Sequence, residues 1–283
     1  MINYKPLNSA LKWIRYPIPN KKDLLQKLHS AFIFSKLDMK SGFWQIQIDP
    51  KDRYKTAFTV PFGQYEWNVM PFGLKNAPSE FQRIMNDIFN AYSKFCIVYI
   101  DDVLIFSQSI DQHFKHLHTF FHTAKQNGLV VSKTKTSLFQ TRVCFLGHYI
   151  CHGTITLIER SLTFTRKFPD KITDKTQLQR FLGSLNYVLD YYPNISRLAK
   201  PLHDRLKTNP IPWSDLHTDL VKQIRKQVQT IPLLHLANPS APKIVETDAS
   251  DIGYGGILKQ VLDGRFVDYN HRTKNIPTEQ KIL

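Results

Sequence analysis

The sequence is poor in cysteine and has no long apolar run. Cys96, Cys144 and Cys151 are its three cysteines, and no two of them form a CxxC pair. This spacing indicates neither a disulfide framework nor a structural zinc site, and it favours a reducing compartment. Because no run of about 18 apolar residues occurs, we expect no membrane span. Charge and proline interrupt the first residues, which therefore do not read as a signal peptide.

Acidic residues are also scarce relative to basic ones. The 283 residues include 38 Lys+Arg against 23 Asp+Glu, a formal net charge of +15. Such an excess indicates a polyanionic partner, most commonly nucleic acid, although charge alone is equally compatible with an ordinary basic protein. The apolar fraction of 42% is typical of a globular chain, and the length suits one large or two modest domains.

Alternating and continuous apolar runs predict strands near the start of the chain. Residues 31–39, AFIFSKLDM, are mostly apolar up to Asp38, and residues 43–49 alternate between two faces. Residues 55–73 predict two strands joined near Gly63. These patterns favour a sheet in the first half of the chain.

Two helices are predicted between the strands. Asn76 is a plausible cap for the first, and Pro78 suits its first turn. The second is predicted from about Ser109 to Asn127, where Gly128 is well placed to end it. Between them, KFCIVYIDDVLIFS (94–107) predicts a hairpin.

Four histidines crowd the second helix: His113, His116, His118 and His122. We predict that they lie on a solvated helix face. A zinc site at His118 and His122 is the alternative, but no Glu or Cys completes the ligand set.

The remaining chain predicts three short strands, GLVVS, TSLFQ and VCFLGHYI, then mostly helix over residues 175–230, and a strand pair around Asp248. The order βαββαβ in the first half predicts an α+β, palm-like sheet with helices on one face.

The adjacent Asp101 and Asp102 interrupt the apolar hairpin. Burying an ionised carboxylate between apolar strands without a partner costs roughly several kcal/mol of folding free energy. Hard divalent cations such as Mg²⁺ prefer oxygen ligands of this kind. If the strand that ends at Asp38 is an antiparallel neighbour, three carboxylates meet and can hold two ions about 4 Å apart, as in phosphoryl transfer. A plain polar turn is the alternative, which an isolated Asp pair would favour.

Five motifs together resemble reverse transcriptases. They are LDMKSGFWQI (37–46), MPFGLKNAPSEFQ (70–82), YIDD (99–102), GLVVSKTK (128–135) and FLGH (145–148). NYKPLN and RYPIPNK look most like the plant pararetroviruses of the caulimovirus family, on their badnavirus and tungrovirus side. The gypsy-type LTR retrotransposons are the close second.

The resemblance implies the site residues. Asp38, Asp101 and Asp102 would bind two Mg²⁺ ions, or Mn²⁺, and Lys135 would protonate the leaving pyrophosphate. Lys133 is nearby, and a solvated surface position is the alternative for either lysine. Further implied roles are a steric gate under the sugar (Phe43, for which a core aromatic is the alternative), close backbone approach to nucleotide or template (Gly73) and the lining of the primer terminus (Tyr99, Ile100). Phe72 belongs to the same implied nucleotide-binding set. Retroviral enzymes usually carry Gln at the position of Phe72, so that side-chain hydrogen bond is not expected here.

The resemblance also implies the architecture and the partners. It implies a right-hand polymerase fold, with fingers (incomplete at the N-terminus) and palm at 1–151, a helical thumb and connection at 152–237, and the start of a ribonuclease H-like α/β domain at 238–283. The implied partners are RNA/DNA and DNA/DNA primer–template, dNTPs and other polyprotein segments, namely a protease and the rest of the ribonuclease H domain. The implied location is the virion and the host-cell cytoplasm.

Both ends depart from the family pattern. The basic fingers residues that family members carry upstream are not present. Downstream, IVETDASDIGYGGIL resembles the opening of a ribonuclease H domain, with Asp248 as its first metal carboxylate. The second carboxylate is in doubt, because Lys281 stands where the family more often has Glu, leaving Glu279 as the substitute. Because the later aspartates of such a domain would lie beyond Leu283, we expect no cleavage of RNA by this chain.

These expectations combine into one predicted function, an RNA- and DNA-directed DNA polymerase. The alternatives are a catalytically impaired nucleic-acid-binding remnant of an integrated element, and a hydrolase built around Asp248.

Overall fold

Two compact units make up the chain, Met1–Val143 and Cys144–Leu283. The structure is a computed structural model. It describes residues 2–158, 167–186, 188, 191–192, 195–229, 234–236, 238, 241–250, 253–262 and 265–275. None of the helices in these ranges is long and apolar enough to span a membrane. The predicted boundaries at 151/152 and 237/238 stay a prediction.

The first unit is built on a four-stranded sheet. Its helices are α1 (Lys5–Ala10), α2 (Lys21–Gln26), α3 (Ala77–Phe89) and α4 (Ile110–Gln126), and its strands are β1 (Ile33–Asp38), β2 (Phe58–Val60), β3 (Gly63–Tyr65), β4 (Cys96–Tyr99), β5 (Asp102–Ser107) and β6 (Ser137–Gln140). The sheet order is β4-β5-β1-β6, and β2 and β3 form a separate hairpin. All pairings within these two sheets are antiparallel.

Both long helices pack on one face of this sheet. Alternate strand residues such as Leu37 and Val103 face the helices, because successive strand side chains point to opposite faces. They form one core with apolar residues of α3 and α4, including Phe81 and Phe120. The prediction of an α+β sheet with helices on one face is confirmed for this unit.

The helix ends follow local signals with one exception. Pro78 lies in the first turn of α3, as predicted. Gly128, at φ +68°, follows the end of α4, where a left-handed residue is favoured. Asn76 occupies the cap position of α3, but its side chain makes no capping hydrogen bond. The capping prediction is therefore wrong for the side chain, which binds the N-terminal segment instead.

Three strand predictions need correction. Residues 43–49 do not form a strand, because Gly42–Gln45 is a 3-10 helix. GLVVS contributes only an isolated bridge between Val131 and Met39. The side chain of Gln45 binds both N–H and C=O of Val130 at 2.9 Å, which uses the groups that a partner strand would need. VCFLGHYI is two strands rather than one, because Leu146 and Gly147 turn the chain with positive φ.

Within the residues that the structure describes, the second unit has three helices and two sheets. Its helices are α5 (Lys175–Leu185), α6 (Ile195–Asp204) and α7 (Asp215–Gln229), and its strands are β8 (His148–Cys151), β9 (Thr154–Leu157), β10 (Leu234–His235), β11 (Ile244–Ser250), β12 (Gly253–Leu262) and β13 (Arg265–Asn275). β7 (Arg142–Phe145), which contains the point of division, belongs to a sheet of order β10-β9-β8-β7. The helices share an apolar core that includes Phe181, Leu202 and Ile224. The helical prediction for residues 175–230 is confirmed for the residues that the structure describes there.

Candidate active site

Antiparallel pairing brings the predicted aspartates together. Asp38, the last residue of β1, is the direct register partner of Asp102, the first residue of β5. Asp101 lies in the adjoining turn, and its carbonyl accepts a hydrogen bond from the N–H of Met39 at 3.1 Å. The strands that carry the three aspartates are thus sheet neighbours, as the sequence predicted.

The turn that carries Asp101 is strained. Tyr99 and Asp102 pair across β4 and β5, so that Ile100 and Asp101 form a two-residue connection. Ile100 has φ +55°, a left-handed conformation that is unusual for a β-branched residue. Such a residue costs on the order of 1–3 kcal/mol and persists where its surroundings hold it.

A buried glutamine holds this turn. The Gln82 Oε1 accepts a hydrogen bond from the N–H of Ile100 at 2.7 Å, and its Nε2 donates to the carbonyl of Val98 at 3.2 Å and to Asn86 Oδ1 at 2.9 Å. Gln82 is fully buried in α3. Sequence analysis assigned it no role, although a polar residue at an apolar helix position beside Phe81 was the available signal.

Lysines lie against two of the carboxylates. Lys36 Nζ is 3.1 Å from Asp102 Oδ1, and Lys135 Nζ is 3.2 Å from Asp38 Oδ1. Burial raises the pKa of Asp101, and the charges of Asp102 and Asp38 raise it further, while Lys135 opposes the shift. The three carboxylates therefore repel one another, and a cation between them would relieve that repulsion.

The donor set fits a divalent cation by its chemistry. In the part of the chain that the structure describes, no three His, Cys, Asp or Glu side chains gather closely enough to enclose a metal ion by themselves. Mg²⁺ does not require such a cage, because it usually keeps several waters and binds one or two carboxylates plus substrate phosphates. The ammonium groups of Lys36 and Lys135 lie against Asp102 and Asp38. These two carboxylates can therefore be reached by cations.

Aromatic rings pack around the 3-10 helix Gly42–Gln45. Phe43 packs edge-on against the buried Phe81 at 5.6 Å between ring centroids, and against Phe72 at 5.3 Å. Phe72 is half exposed. A Cβ on Gly42 would lie 3.1 Å from Phe81 and 3.5 Å from Asp101, so the 3-10 helix approaches the turn more closely than other residues allow. The structure thus brings Phe43 and Phe72 into contact, and it adds Gly42 to the residues near the turn.

The N-terminal segment supports the loop that contains Gly73. Gly73 has φ +97°, which favours glycine, and its carbonyl accepts a hydrogen bond from Asn8 Nδ2 at 2.8 Å. Asn8 Oδ1 also accepts from the N–H of Lys75 at 2.8 Å. Asn76 Nδ2 donates to the carbonyl of Lys12 at 2.8 Å. Amide side chains far apart in the sequence therefore fix this loop.

The other predicted residues occupy different settings. Tyr99 is half-buried, and Lys21 Nζ lies 5.5 Å from its ring centroid. Lys133 is exposed, whereas Lys135 forms the ion pair with Asp38. Asp248 lies on β11 in register with Gly255 of β12. Glu279 and Lys281 lie outside the described residues.

Family models match most of the chain. Residues 1–150 match the model described as "Reverse transcriptase (RNA-dependent DNA polymerase)". Residues 213–278 match the model described as "RNase H-like domain found in reverse transcriptase". The second match begins before residue 238, where the sequence analysis predicted the start of that domain.

Curated relatives come from plant-virus polyproteins. The enzymatic polyprotein of cauliflower mosaic virus (strain Strasbourg) is 45% identical over 262 residues, covering 92% of this chain and 39% of the relative. That of figwort mosaic virus (strain DxS) is 42% identical over 266 residues, 93% of this chain and 40% of the relative. The chain thus spans about two fifths of their length. The predicted kinship with the caulimovirus family is confirmed.

Solved structures share the fold. The foamy viral protease-reverse transcriptase in complex with RNA/DNA hybrid has a TM-score of 0.81 at 23% identity, covering 100% of this chain and 38% of that one. The foamy viral protease-reverse transcriptase dRH in complex with double-stranded DNA has a TM-score of 0.86 at 23% identity, covering 99% of this chain and 49% of that one. The predicted right-hand polymerase fold is confirmed.

Proposed function

The chain belongs to the reverse transcriptase family, and we propose that it is the catalytic core of an RNA- and DNA-directed DNA polymerase. It extends a primer 3′-hydroxyl with dNTPs on RNA or DNA templates. The observation that carries the proposal is the antiparallel register of Asp38 with Asp102, with Asp101 in the adjoining turn. A plain polar turn would not require a second acidic strand end at the same place.

In this proposal the aspartates hold two Mg²⁺ ions, or Mn²⁺. The bound ions would activate the 3′-hydroxyl and neutralise charge on the transferred phosphoryl group. Repulsion among Asp38, Asp101 and Asp102 favours cation binding. The excess of basic residues supports a sequence-independent grip on nucleic-acid phosphates.

Other side chains orient the reactants. Phe43, held by Phe81 from behind, presents a ring edge under the sugar and excludes a 2′-hydroxyl. The backbone at Phe72 and Gly73 approaches the nucleotide or template, because no Cβ stands at Gly73. The turn at Tyr99 and Ile100 supports the primer terminus, and Gln82 keeps that turn in place.

Lys135 is the proposed proton donor. Its ammonium lies beside Asp38 on an exposed side chain, with 68% of its surface accessible. A mobile ammonium next to the aspartates can protonate the pyrophosphate as it leaves. Asp38 orients it before substrate arrives.

The wider context is also proposed. The chain works as a segment of a viral polyprotein beside a protease and a ribonuclease H domain, in virions and host-cell cytoplasm. Asp248 is the proposed first carboxylate of the ribonuclease H-like part. An assay for cleavage of an RNA–DNA hybrid separates this proposal, which expects no cleavage by the chain, from the alternative of a hydrolase built around Asp248, which requires it.

Primer extension tests the polymerase proposal. A DNA primer annealed to an RNA template is incubated with dNTPs and Mg²⁺ or EDTA. The parent chain should extend the primer with Mg²⁺ alone, and an Asp101→Asn/Asp102→Asn variant should lose extension by at least about 100-fold.

Asp52→Asn is the matched control, because Asp52 is exposed and pairs only locally with Lys55. It should leave extension unchanged. Tight binding of primer–template by the parent chain without any extension would contradict the proposal and favour the impaired remnant.

A further inference from the structure

Lys36 lies against one of the three aspartates and has no assigned role. It precedes Asp38 by two residues on β1, so both side chains are on the same face of the strand. Its direct register partner is Leu104, and Asp102 is two pairs further along, opposite Asp38. The Lys36 ammonium therefore reaches diagonally across the sheet to Asp102, at 3.1 Å.

This ion pair differs from the exposed pairs of the chain. The side chains of Lys36 and Asp102 are 30% and 31% accessible, and a sheet holds both backbones. By contrast, Lys55 and Asp52 pair at 2.6 Å on side chains that are 45% and 42% accessible. A pair fixed by two strands loses less side-chain freedom when it forms than a pair between mobile chains.

We propose that Lys36 is a built-in counter-cation that occupies Asp102 while the site holds no divalent ion and gives it up when an ion binds. This inference rests on the proposed function, because it assumes that Asp102 is a metal ligand. Lys36 is thus a positioning residue that sets metal affinity.

The reason is competition for one carboxylate. Without a cation, Asp38, Asp101 and Asp102 repel one another beside a strained turn. The Lys36 ammonium lowers that repulsion and preserves the geometry. A divalent ion must displace it from Asp102 and then bind beside a positive charge, and both effects weaken metal binding.

The experiment measures Mn²⁺ binding and stability rather than turnover. Free Mn²⁺ gives a paramagnetic resonance signal that bound Mn²⁺ loses, so the signal reports binding without nucleic acid or dNTP. Three variants are compared with the parent: Lys36→Met, Lys36→Arg, and Lys55→Met as the matched control in the exposed pair.

Lys36→Met should bind Mn²⁺ about three- to five-fold more tightly, because the competitor is removed. In EDTA the same variant should melt at a lower temperature than the parent, since Asp102 loses its partner. Lys36→Arg, which keeps the charge, should behave like the parent in both measurements. Lys55→Met should leave Mn²⁺ affinity unchanged.

Two results would overturn the inference. One is equal Mn²⁺ affinity for the parent and Lys36→Met, with both proteins folded by circular dichroism. The other is an equal gain for Lys55→Met, which would indicate a general charge effect. If instead the Asp101→Asn/Asp102→Asn variant binds Mn²⁺ as well as the parent, the metal site itself is wrong, and the proposed function fails separately.

Discussion

Two hairpins of the first unit each have two residues between their last paired positions, but different interactions hold their turns. β4 and β5 are joined through Ile100, which adopts φ +55° although it is β-branched. β2 and β3 meet at Gly63, whose φ of +143° is open to glycine alone among common residues. The first turn is bound by the buried Gln82, whereas all three residues of β3 are exposed.

The difference teaches where strain is tolerated. In the exposed hairpin the residue type relieves the strain, because glycine has no Cβ. In the buried hairpin the surroundings hold a residue that would otherwise relax. A strained turn beside three carboxylates is thus a feature that the core maintains.

The largest effect is expected when the turn loses the buried Gln82. Gln82→Leu leaves the N–H of Ile100 and the carbonyl of Val98 without their partner, and should cost about 2–4 kcal/mol in the free energy of unfolding measured in urea. Gln64→Leu in the exposed hairpin is the control, expected within about 0.5 kcal/mol. If Gln82→Leu and Gln64→Leu both cost little, the hydrogen bonds of Gln82 are not needed to hold the turn.

The far end of β5 carries a second buried polar contact, on His113. Its Nε2 lies 2.7 Å from Ser35 Oγ and its Nδ1 2.8 Å from Ser107 Oγ. Burial lowers the pKa of His113 to about 4, below the ordinary value near 6.5. Between these values the unfolded chain binds a proton that the folded chain does not, so stability should fall as pH decreases from about 6.5 to about 4.

Unfolding followed across this pH window should show a loss on the order of 2 kcal/mol from His113. His113→Phe should reduce the pH dependence, although His116, whose pKa is also lowered by burial, retains part of it. An unchanged slope in His113→Phe would refute the assignment.

A smaller effect is expected in the exposed hairpin. A Cβ at Gly63 would meet only Tyr65, at 3.8 Å, so Gly63→Ala should be destabilising through the backbone alone. We expect about 1 kcal/mol by thermal denaturation. Gln64→Ala next to it should be close to neutral. No cost for Gly63→Ala would mean that this turn relaxes freely.

The smallest effect separates the adjacent aspartates. Partial loss of solvent raises the pKa of Asp101, so the folded protein favours its protonated form and loses stability as pH rises from the ordinary pKa of Asp through the raised one. Asp101→Asn should therefore stabilise the protein in EDTA at pH 7, by at most about 0.5 kcal/mol since water still reaches and screens the side chain. Asp102→Asn should have the opposite sign, because it removes the ion pair with Lys36. Melting curves of both variants test the pair of signs.

Local signals predicted much of the fold. The pattern around residues 94–107 predicted the β4–β5 hairpin, and Pro78 and Gly128 marked the correct helix ends. The histidine pattern was misleading in part. His118 and His122 are exposed as predicted, but His113 is buried and His116 half-buried, so the prediction of a solvated face is wrong for those two.

The errors share one cause, which is contact between distant residues. An alternating pattern over residues 43–49 predicted a strand, but Phe43 packs on Phe81 and Gln45 binds Val130. Asn76 was predicted to cap a helix with its side chain, but its amide donates a hydrogen bond to the carbonyl of Lys12 instead. Neither contact can be read from neighbouring residues.

The sequence by itself determined the family, the hairpin with its acidic turn and the charge that suits nucleic acid. Motifs and alternation are patterns of neighbouring residues, and net charge is a count over the chain, so none of the three depends on the fold. Only the tertiary structure decided that Asp38 pairs with Asp102, that Gln82 holds Ile100, and that Lys36 reaches Asp102. These depend on which strands become neighbours and in which register. The burial of the whole core sets that choice, and no short stretch of the sequence contains it.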